Sequence, residues 1–130
     1  MITTQQDLAE ELAMLYESIK APINKGNPTG LVDDLDYRCQ WLARSAELVA
    51  DAQWYVDQAQ GHAADGIETG TPWSLAKILI ESKTADESRL LKLAERLNAT
   101  LTHQIDSIRS VLSFEKQLAN QDRYQGTKQA

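Results

Sequence analysis

A heptad repeat of apolar residues between Leu35 and Ala63 is the feature that most constrains the fold of this chain. Apolar side chains at this spacing form one narrow seam along an α-helix, as in helices that pack nearly parallel in bundles and coiled coils. The sequence therefore predicts a long helix that needs a partner along its length. The predicted seam consists of Leu35, Leu42, Val49, Val56 and Ala63, with Cys39 and Ala46 at the alternate positions and Gln53 next in the series.

A second apolar seam lies in the last third of the chain, and it predicts the partner helix. Its members are Leu90, Ala94, Leu97, Leu101, Ile105, Ile108 and Leu112. The two predicted helices run from about Leu31 to about Ala64 and from Thr84 to about Asn120, roughly 50 Å each at a rise of 1.5 Å per residue. We expect them to fold back on each other, which gives an all-α antiparallel bundle.

Two shorter helices complete the predicted bundle. Thr4 with Asp7 forms a capping box at the start of the first, which ends near Lys20 because Pro22 disfavours the α conformation of the residue before it. The other is WSLAKILIES, which is apolar on most sides. We expect this short helix to be tucked against the others.

Turn and capping residues set the remaining boundaries. Thr71 is expected to cap the short helix, with Pro72 at its first position, where a missing N–H costs nothing. Thr84 with Glu87 forms a second capping box and starts the last helix. Residues 1–120 are predicted to form a single bundle domain, and residues 121–130, which lack periodicity, a flexible tail.

The charge of the chain is acidic and uneven. The net charge is −6, with −7 on residues 1–66 and +1 on residues 67–130. An acidic protein is a poor ligand for duplex nucleic acid, which needs many Lys and Arg contacts to phosphates. No signal peptide or membrane span is recognisable, and the single Cys39 fits a reducing compartment. We therefore expect a cytoplasmic protein without a membrane partner.

Catalytic and metal-binding motifs are not apparent in the sequence. Neither His62 nor His103 has a glutamate three residues before it, so the Glu-x-x-His pairs of di-iron bundles are missing. Acidic residues of the first two helices loosely imitate the magnesium site of all-helical nucleotide pyrophosphatases, without the ordered spacing: Glu10, Glu11, Glu47 and Asp51. We expect no catalysis, no metal and no cofactor.

Polar residues flank the seam of the last helix on both sides. One shoulder carries Asn98, Thr102, Arg109 and Lys116, and the other carries Arg96, Thr100, His103 and Ser107. Gln104 and Glu115 fall inside the seam itself. A buried polar group there needs a hydrogen-bond partner, because leaving it without one costs about 1–3 kcal/mol.

Two interpretations of these shoulders remain open. In the first they are a solvated flank, with an Asp106–Arg109 surface pair, and the aromatic residues of the second helix are ordinary core. In the second, Arg, His or Lys side chains and aromatic rings form a pocket for a flat anionic ligand such as a nucleotide. The candidate ligand-binding residues are Thr102, His103, Arg109, Lys116, Trp41 and Tyr55.

A short segment of the last helix resembles a known family. Ala99-Thr100-Leu101-Thr102-His103, within ERLNATLTHQIDSIRSVLSFEK, resembles the final helix of small acidic helical phage proteins that sequester cyclic-oligonucleotide defence signals, the anti-CBASS sponges. The resemblance implies a non-enzymatic homo-oligomer in the cytoplasm of a bacterial or phage-infected cell, and it carries over Thr102 and His103 as site residues. The predicted function is a small binding protein that sequesters an anionic nucleotide-type signal. The alternative is a helical protein–protein interaction module without a small-molecule ligand.

Overall fold

Four α-helices make up the fold in a computed structural model that describes residues 2–23 and 26–129, with side chains described as far as residue 123. They are α1 (Gln5–Ile19), α2 (Pro28–Asp65), α3 (Trp73–Lys83) and α4 (Ala85–Gln129). Within those ranges no residue is in a β-strand. The predicted all-α bundle with two long helices is confirmed.

The two long helices, α2 and α4, pack against each other in antiparallel orientation. Arg38, early in α2, contacts Gln104, whereas the later Ser45 contacts the earlier Asn98. Helix α1 packs against both long helices and contributes three side chains with no exposed surface, Leu8, Leu12 and Leu15. The core around them contains Leu48, Ala52, Ala94, Leu97 and Leu101.

The seam of α4 is confirmed by burial. Ala94, Leu97, Leu101, Ile105 and Ile108 are all buried, and Leu90 and Leu112 at its ends are half-buried. A helix with this spacing turns one stripe to its neighbours, and here the neighbours are α1 and α2. The sequence pattern was therefore sufficient to orient this helix.

The seam of α2 is rotated from its predicted position. The buried heptad row is Leu31, Arg38, Ser45 and Ala52, while Leu35, Leu42 and Val49 form a half-buried flank beside it. Cys39 is half-buried at the edge of that flank, and Ala46 and Gln53, predicted in the seam, are exposed. Val56 and Ala63, the last two members of the predicted seam, are buried as predicted. The earlier part of the prediction was wrong because it followed hydrophobicity, whereas polar or small residues occupy the centre of that part of the face.

Helix α3 is much more exposed than its composition predicts. Ala76 is its one buried residue, whereas Trp73, Leu75, Ile78 and Leu79 are exposed by 73%, 48%, 62% and 38%. The expectation that this helix is tucked against the others is therefore wrong. Helix α3 contacts the bundle along a single narrow edge.

The predicted caps are correct at one helix and wrong at two. The Thr4 hydroxyl accepts a hydrogen bond from the Asp7 backbone N–H at 3.2 Å, as the first capping box requires. Thr71 instead donates to the Glu68 carbonyl, so that Pro72 takes the cap position of α3. The Thr84 hydroxyl donates back to Ile80 at 2.9 Å and does not cap α4.

The ends of the long helices also differ from the predicted boundaries. Helix α2 begins at Pro28, earlier than predicted, because the Asn27 side chain accepts a hydrogen bond from the Gly30 N–H at 3.2 Å. Helix α4 continues past Asn120 to Gln129. Residues 121–129 of the predicted flexible tail lie in this helix, residue 130 lies outside the described part, and the flexibility of the tail stays a prediction.

Candidate functional site

The four predicted ligand residues of α4 are all exposed. Thr102 donates its hydroxyl to the Asn98 carbonyl of its own helix at 3.0 Å. His103, Arg109 and Lys116 make no hydrogen bond or ion pair, and the expected Asp106–Arg109 surface pair is not formed. These side chains are therefore available to solvent.

A shallow groove surrounds Arg109. Its volume is about 440 Å³, and it is lined by Arg109, Ser110, Ser113, Phe114 and Gln117. All five residues belong to α4, so no second helix closes over this groove. Small-molecule sites usually enclose most of a ligand between several elements.

The predicted aromatic partners, Trp41 and Tyr55, lie on the side of α2 that faces α1. The Tyr55 hydroxyl donates to the Thr3 carbonyl at 2.7 Å, and Trp41 packs against the shared core. Trp41 also borders a small pocket of about 240 Å³ together with Glu11 of α1. Both rings are half-buried and serve mainly to pack α1 against α2.

The structure does not bring the two predicted groups together. On α4, Gln104 reaches Ile19 of α1, whereas Asn98, on the opposite edge of the seam, reaches Ser45 of α2. Thr102 is four residues after Asn98 and lies on the same edge of the α4 seam, away from α1. No hydrogen bond, ion pair or cavity of the described residues joins it to Trp41 or Tyr55.

The acidic residues that could imitate a magnesium site are engaged by other groups. Arg44 binds both oxygens of Glu11 at 2.7 and 2.8 Å and one oxygen of Glu47 at 2.6 Å. Asp51 accepts the Thr3 backbone N–H at 3.1 Å. The hydrogen bond from Arg44 lowers the pKa of the Glu11 carboxyl, against the opposing effect of burial. Among the residues described, no three His, Cys, Asp or Glu side chains form a metal-binding group.

Arg38 is a buried cation that ties three helices together. It is 2% exposed, and it donates to Asp34 at 2.9 Å, to the Ala21 carbonyl at 3.0 Å and to the Gln104 side chain. Gln104 completes the network by donating to the Ile19 carbonyl at 3.0 Å. The glutamine inside the α4 seam was a sequence signal for a buried polar partner, but nothing in the sequence identified that partner as Arg38.

A larger cleft lies between the end of α3 and the beginning of α4, with Gln60 of α2 at its border, and we call it the α3–α4 cleft. Its volume is about 1110 Å³. It is lined by Gln60, Glu81, Thr84, Ala85, Asp86, Ser88, Arg89, Leu90, Lys92, Leu93 and Arg96.

Three basic side chains of α4 share this cleft. Arg89, Lys92 and Arg96 are spaced i, i+3 and i+7, which places them on one side of the helix over roughly 10 Å of its length. All three are exposed, and none makes a hydrogen bond or an ion pair. Arg96 was predicted from sequence as part of a shoulder, whereas Arg89 and Lys92 were missed, although their helical spacing is readable in the sequence.

The composition of the α3–α4 cleft defines what it can bind. Two guanidinium groups and one ammonium group offer donors to phosphate or carboxylate oxygens, and the Ser88 hydroxyl adds another. Glu81 and Asp86 border the same space, and no aromatic ring lines it. The cleft is therefore suited to recognising the charged oxygens of a ligand, and it offers no ring for stacking a base.

No family model matches this chain, and neither curated proteins nor solved structures show a significant similarity to it. In the part of the chain that the structure describes, no helix combines the length and apolar character needed to span a membrane.

Proposed function

We propose that this protein is a non-enzymatic binding protein that sequesters an anionic, nucleotide-type ligand in the α3–α4 cleft. The observation that carries the proposal is the group of three unpaired cations, Arg89, Lys92 and Arg96, along one cleft of about 1110 Å³. Cations that are not neutralised by their own chain can neutralise a phosphate-bearing ligand. The resemblance of the last helix to phage proteins that sequester cyclic oligonucleotides supports the same class of ligand.

The proposed site differs from the one predicted from sequence. The cleft is bordered by residues of α2, α3 and α4, whereas the groove at Arg109 is formed by α4 alone. Enclosure by more than one element raises the number of contacts that a ligand can make at once. In this proposal the ligand is recognised mainly through its phosphates, because no aromatic side chain lines the cleft.

A panel of anionic ligands measured by thermal shift and calorimetry tests the proposal. The probes are ATP, a cyclic dinucleotide, a cyclic trinucleotide and inorganic polyphosphate. Binding at a hundredfold excess over the dissociation constant stabilises a protein by about 2.7 kcal/mol. Replacement of Arg89 or Arg96 by alanine should reduce affinity by about tenfold or more, because a charge-assisted contact contributes about 1.5–3 kcal/mol.

Arg109→Ala is the matched control, because Arg109 is another exposed and unpaired arginine of the same helix. We expect this variant to bind as the wild type does. Loss of binding in Arg109→Ala alone would restore the site predicted from sequence. If no probe in the panel binds the wild-type protein, the proposed function is wrong.

The second candidate is a helical protein–protein interaction module. The specific observation in its favour is the exposure of Leu75, Ile78 and Leu79 along one side of α3. Contiguous apolar patches of this kind are uncommon on monomeric proteins and mark interaction surfaces. Nuclease-treated protein that binds none of the anionic probes but elutes as a stable complex with a second protein would favour this candidate.

A further inference from the structure

The α3–α4 cleft carries carboxylates as well as cations, and the two kinds of charge lie at different ends of it. Glu81 is close to the end of α3, and Asp86 is the second residue of α4, so both lie at the junction of the two helices. Arg89, Lys92 and Arg96 follow along α4, roughly 5 to 15 Å beyond Asp86 at a rise of 1.5 Å per residue. The cleft therefore has an acidic end and a basic end.

Neither carboxylate is used by its own chain. Glu81 and Asp86 are exposed and make no hydrogen bond or ion pair, and Asp86 does not pair with Arg89 although the spacing i, i+3 would permit it. A carboxylate accepts hydrogen bonds and donates none, so its complement in a ligand is a donor such as a hydroxyl or an amino group. A ligand made of phosphates alone would instead bring like charges together at this end of the cleft.

We propose that the α3–α4 cleft binds a ligand with two different ends, in which phosphates contact the cations and hydrogen-bond donors contact Glu81 and Asp86. This inference rests on the proposed function, because it concerns the same site. A nucleotide has the required composition, since its ribose hydroxyls and the exocyclic amino group of adenine, guanine or cytosine are donors. Inorganic polyphosphate does not have it, because its charged oxygens only accept.

The apolar residues of the cleft lie on the same stretch of α4. Leu90 and Leu93 fall between Asp86 and Arg96, and Leu93 is exposed by 36%. They offer the uncharged part of a nucleoside an apolar contact where no aromatic ring is present. Apolar contact alone distinguishes similar ligands weakly, whereas a site that hydrogen-bonds a donor rejects ligands that lack it. Selectivity in this cleft therefore depends on the two carboxylates.

Calorimetry with ATP and inorganic tripolyphosphate tests the inference, because both carry a chain of three phosphates and only ATP carries the donors. The wild type should bind ATP more tightly by about tenfold or more, as expected for a hydrogen bond to a charged group. In Asp86→Asn the ratio of the two affinities should fall by about threefold or more, because a neutral acceptor forms a weaker hydrogen bond. The ratio is measured because loss of a negative charge favours both ligands.

Glu95→Gln is the matched control for the loss of charge. Glu95 is an exposed acid of α4 without a hydrogen bond or an ion pair, and it does not line the cleft. This variant should keep the wild-type affinity ratio. Two analogues of ATP identify the donor: 2′,3′-dideoxy-ATP lacks the sugar hydroxyls, and inosine triphosphate lacks the exocyclic amino group. At least one of them should bind more weakly than ATP.

The inference and the proposed function fail in different ways. Equal binding of ATP and tripolyphosphate to the wild type, an affinity ratio that changes no more in Asp86→Asn than in Glu95→Gln, or equal binding of ATP and both analogues would overturn the inference. In each of these cases the cleft still binds an anion, so the proposed function survives. If neither ATP nor tripolyphosphate binds, the inference is wrong, whereas the proposed function is wrong only if the cyclic dinucleotide, the cyclic trinucleotide and polyphosphate also fail to bind.

Discussion

At the scale of single residues, the interior of this bundle depends on two polar bridges as well as on leucines. One joins Arg38 to Gln104, and the other is the 2.7 Å hydrogen bond from Asn98 to Ser45. No side-chain polar atom buried in the described part lacks a hydrogen-bond partner. Buried polar groups are tolerated because they are paired, and removal of one partner leaves the other without compensation.

Gln104→Ala should therefore destabilise the protein. Without this side chain, Arg38 and the Ile19 carbonyl each lose a partner in a region that water reaches poorly. We expect the free energy of unfolding to fall by about 1–3 kcal/mol, measured by urea denaturation. Thr102→Ala is the control, because this exposed hydroxyl bonds only to its own helix, and it should change stability by less than about 0.5 kcal/mol. Equal effects of the two substitutions would show that the network is not stabilising.

Glu11 should make the stability of the protein fall in acid. Its pKa is lowered in the folded state by the hydrogen bond from Arg44, from an ordinary value of 4.5. A carboxyl with a lowered folded-state pKa stabilises the fold above its unfolded-state pKa, and that contribution is lost as the pH falls through the folded-state pKa. Urea midpoints measured from about pH 6 to about pH 3 should fall more steeply in the wild type than in Glu11→Gln.

Glu95→Gln is the control for this pH dependence. Glu95 is exposed and makes no hydrogen bond or ion pair, and its replacement changes the net charge by the same amount. Its urea midpoints should follow the wild-type pH profile. A Glu11→Gln profile that coincides with both would contradict the role of the Arg44 contact.

At the scale of helices, the sequence predicted the α4 seam and misplaced the α2 seam. Every central position of the α4 seam is Leu, Ile or Ala, so hydrophobicity and burial coincide. On α2, Arg38 and Ser45 occupy the buried row because each finds a partner on α4. The pairing of side chains far apart in sequence cannot be deduced from periodicity within one helix.

The candidate site was predictable in chemical class but not in position. The sequence indicated basic side chains beside the α4 seam, and such a group borders the α3–α4 cleft. The aromatic residues predicted for the same pocket, Trp41 and Tyr55, do not line this cleft. They pack against α1 on another side of the bundle. Which side of a helix a third helix covers depends on tertiary packing, which local sequence does not encode.

Asn27 should stabilise the start of α2. Its side chain accepts a hydrogen bond from the Gly30 N–H, one of the donors that a helix start leaves without a partner. Asn27→Ala should lower the free energy of unfolding by about 1 kcal/mol, measured by urea denaturation. Asn27→Asp keeps a capping oxygen and should be close to wild type. If both variants lose stability equally, the effect does not come from the cap.

At the scale of the whole molecule, the heptad seams alone leave the alignment of α2 and α4 underdetermined. A shift of one helix by seven residues would again bring apolar side chains against apolar side chains. The two polar bridges remove that freedom, because Arg38 must meet Gln104 while Ser45 meets Asn98. After such a shift, both pairs would be broken inside the protein.

Replacement of both bridges by apolar residues should therefore leave the helices formed but their alignment no longer unique. We expect the quadruple variant with Arg38→Met, Gln104→Leu, Ser45→Ala and Asn98→Leu to remain helical and to unfold in urea at a lower midpoint than the wild type, because the Ile19 and Ala21 carbonyls and the Asp34 carboxylate lose their partners. Its amide NMR spectrum should show more than one set of signals for α2, as expected of coexisting alignments. A single set of sharp signals would show that the apolar packing alone selects the alignment.

The buried Arg38 thus helps to fix the alignment of the helices in the bundle. The contact of Arg38 with Gln104 sets the position of α4 along α2. Its hydrogen bond to the Ala21 carbonyl sets the position of the end of α1 against α2. The position of Arg89, Lys92 and Arg96 relative to α3 depends on that same setting, although they lie far along α4 from Gln104. The two polar bridges in the interior therefore influence, at a distance, which side chains of α3 and α4 meet at the opposite end of the molecule.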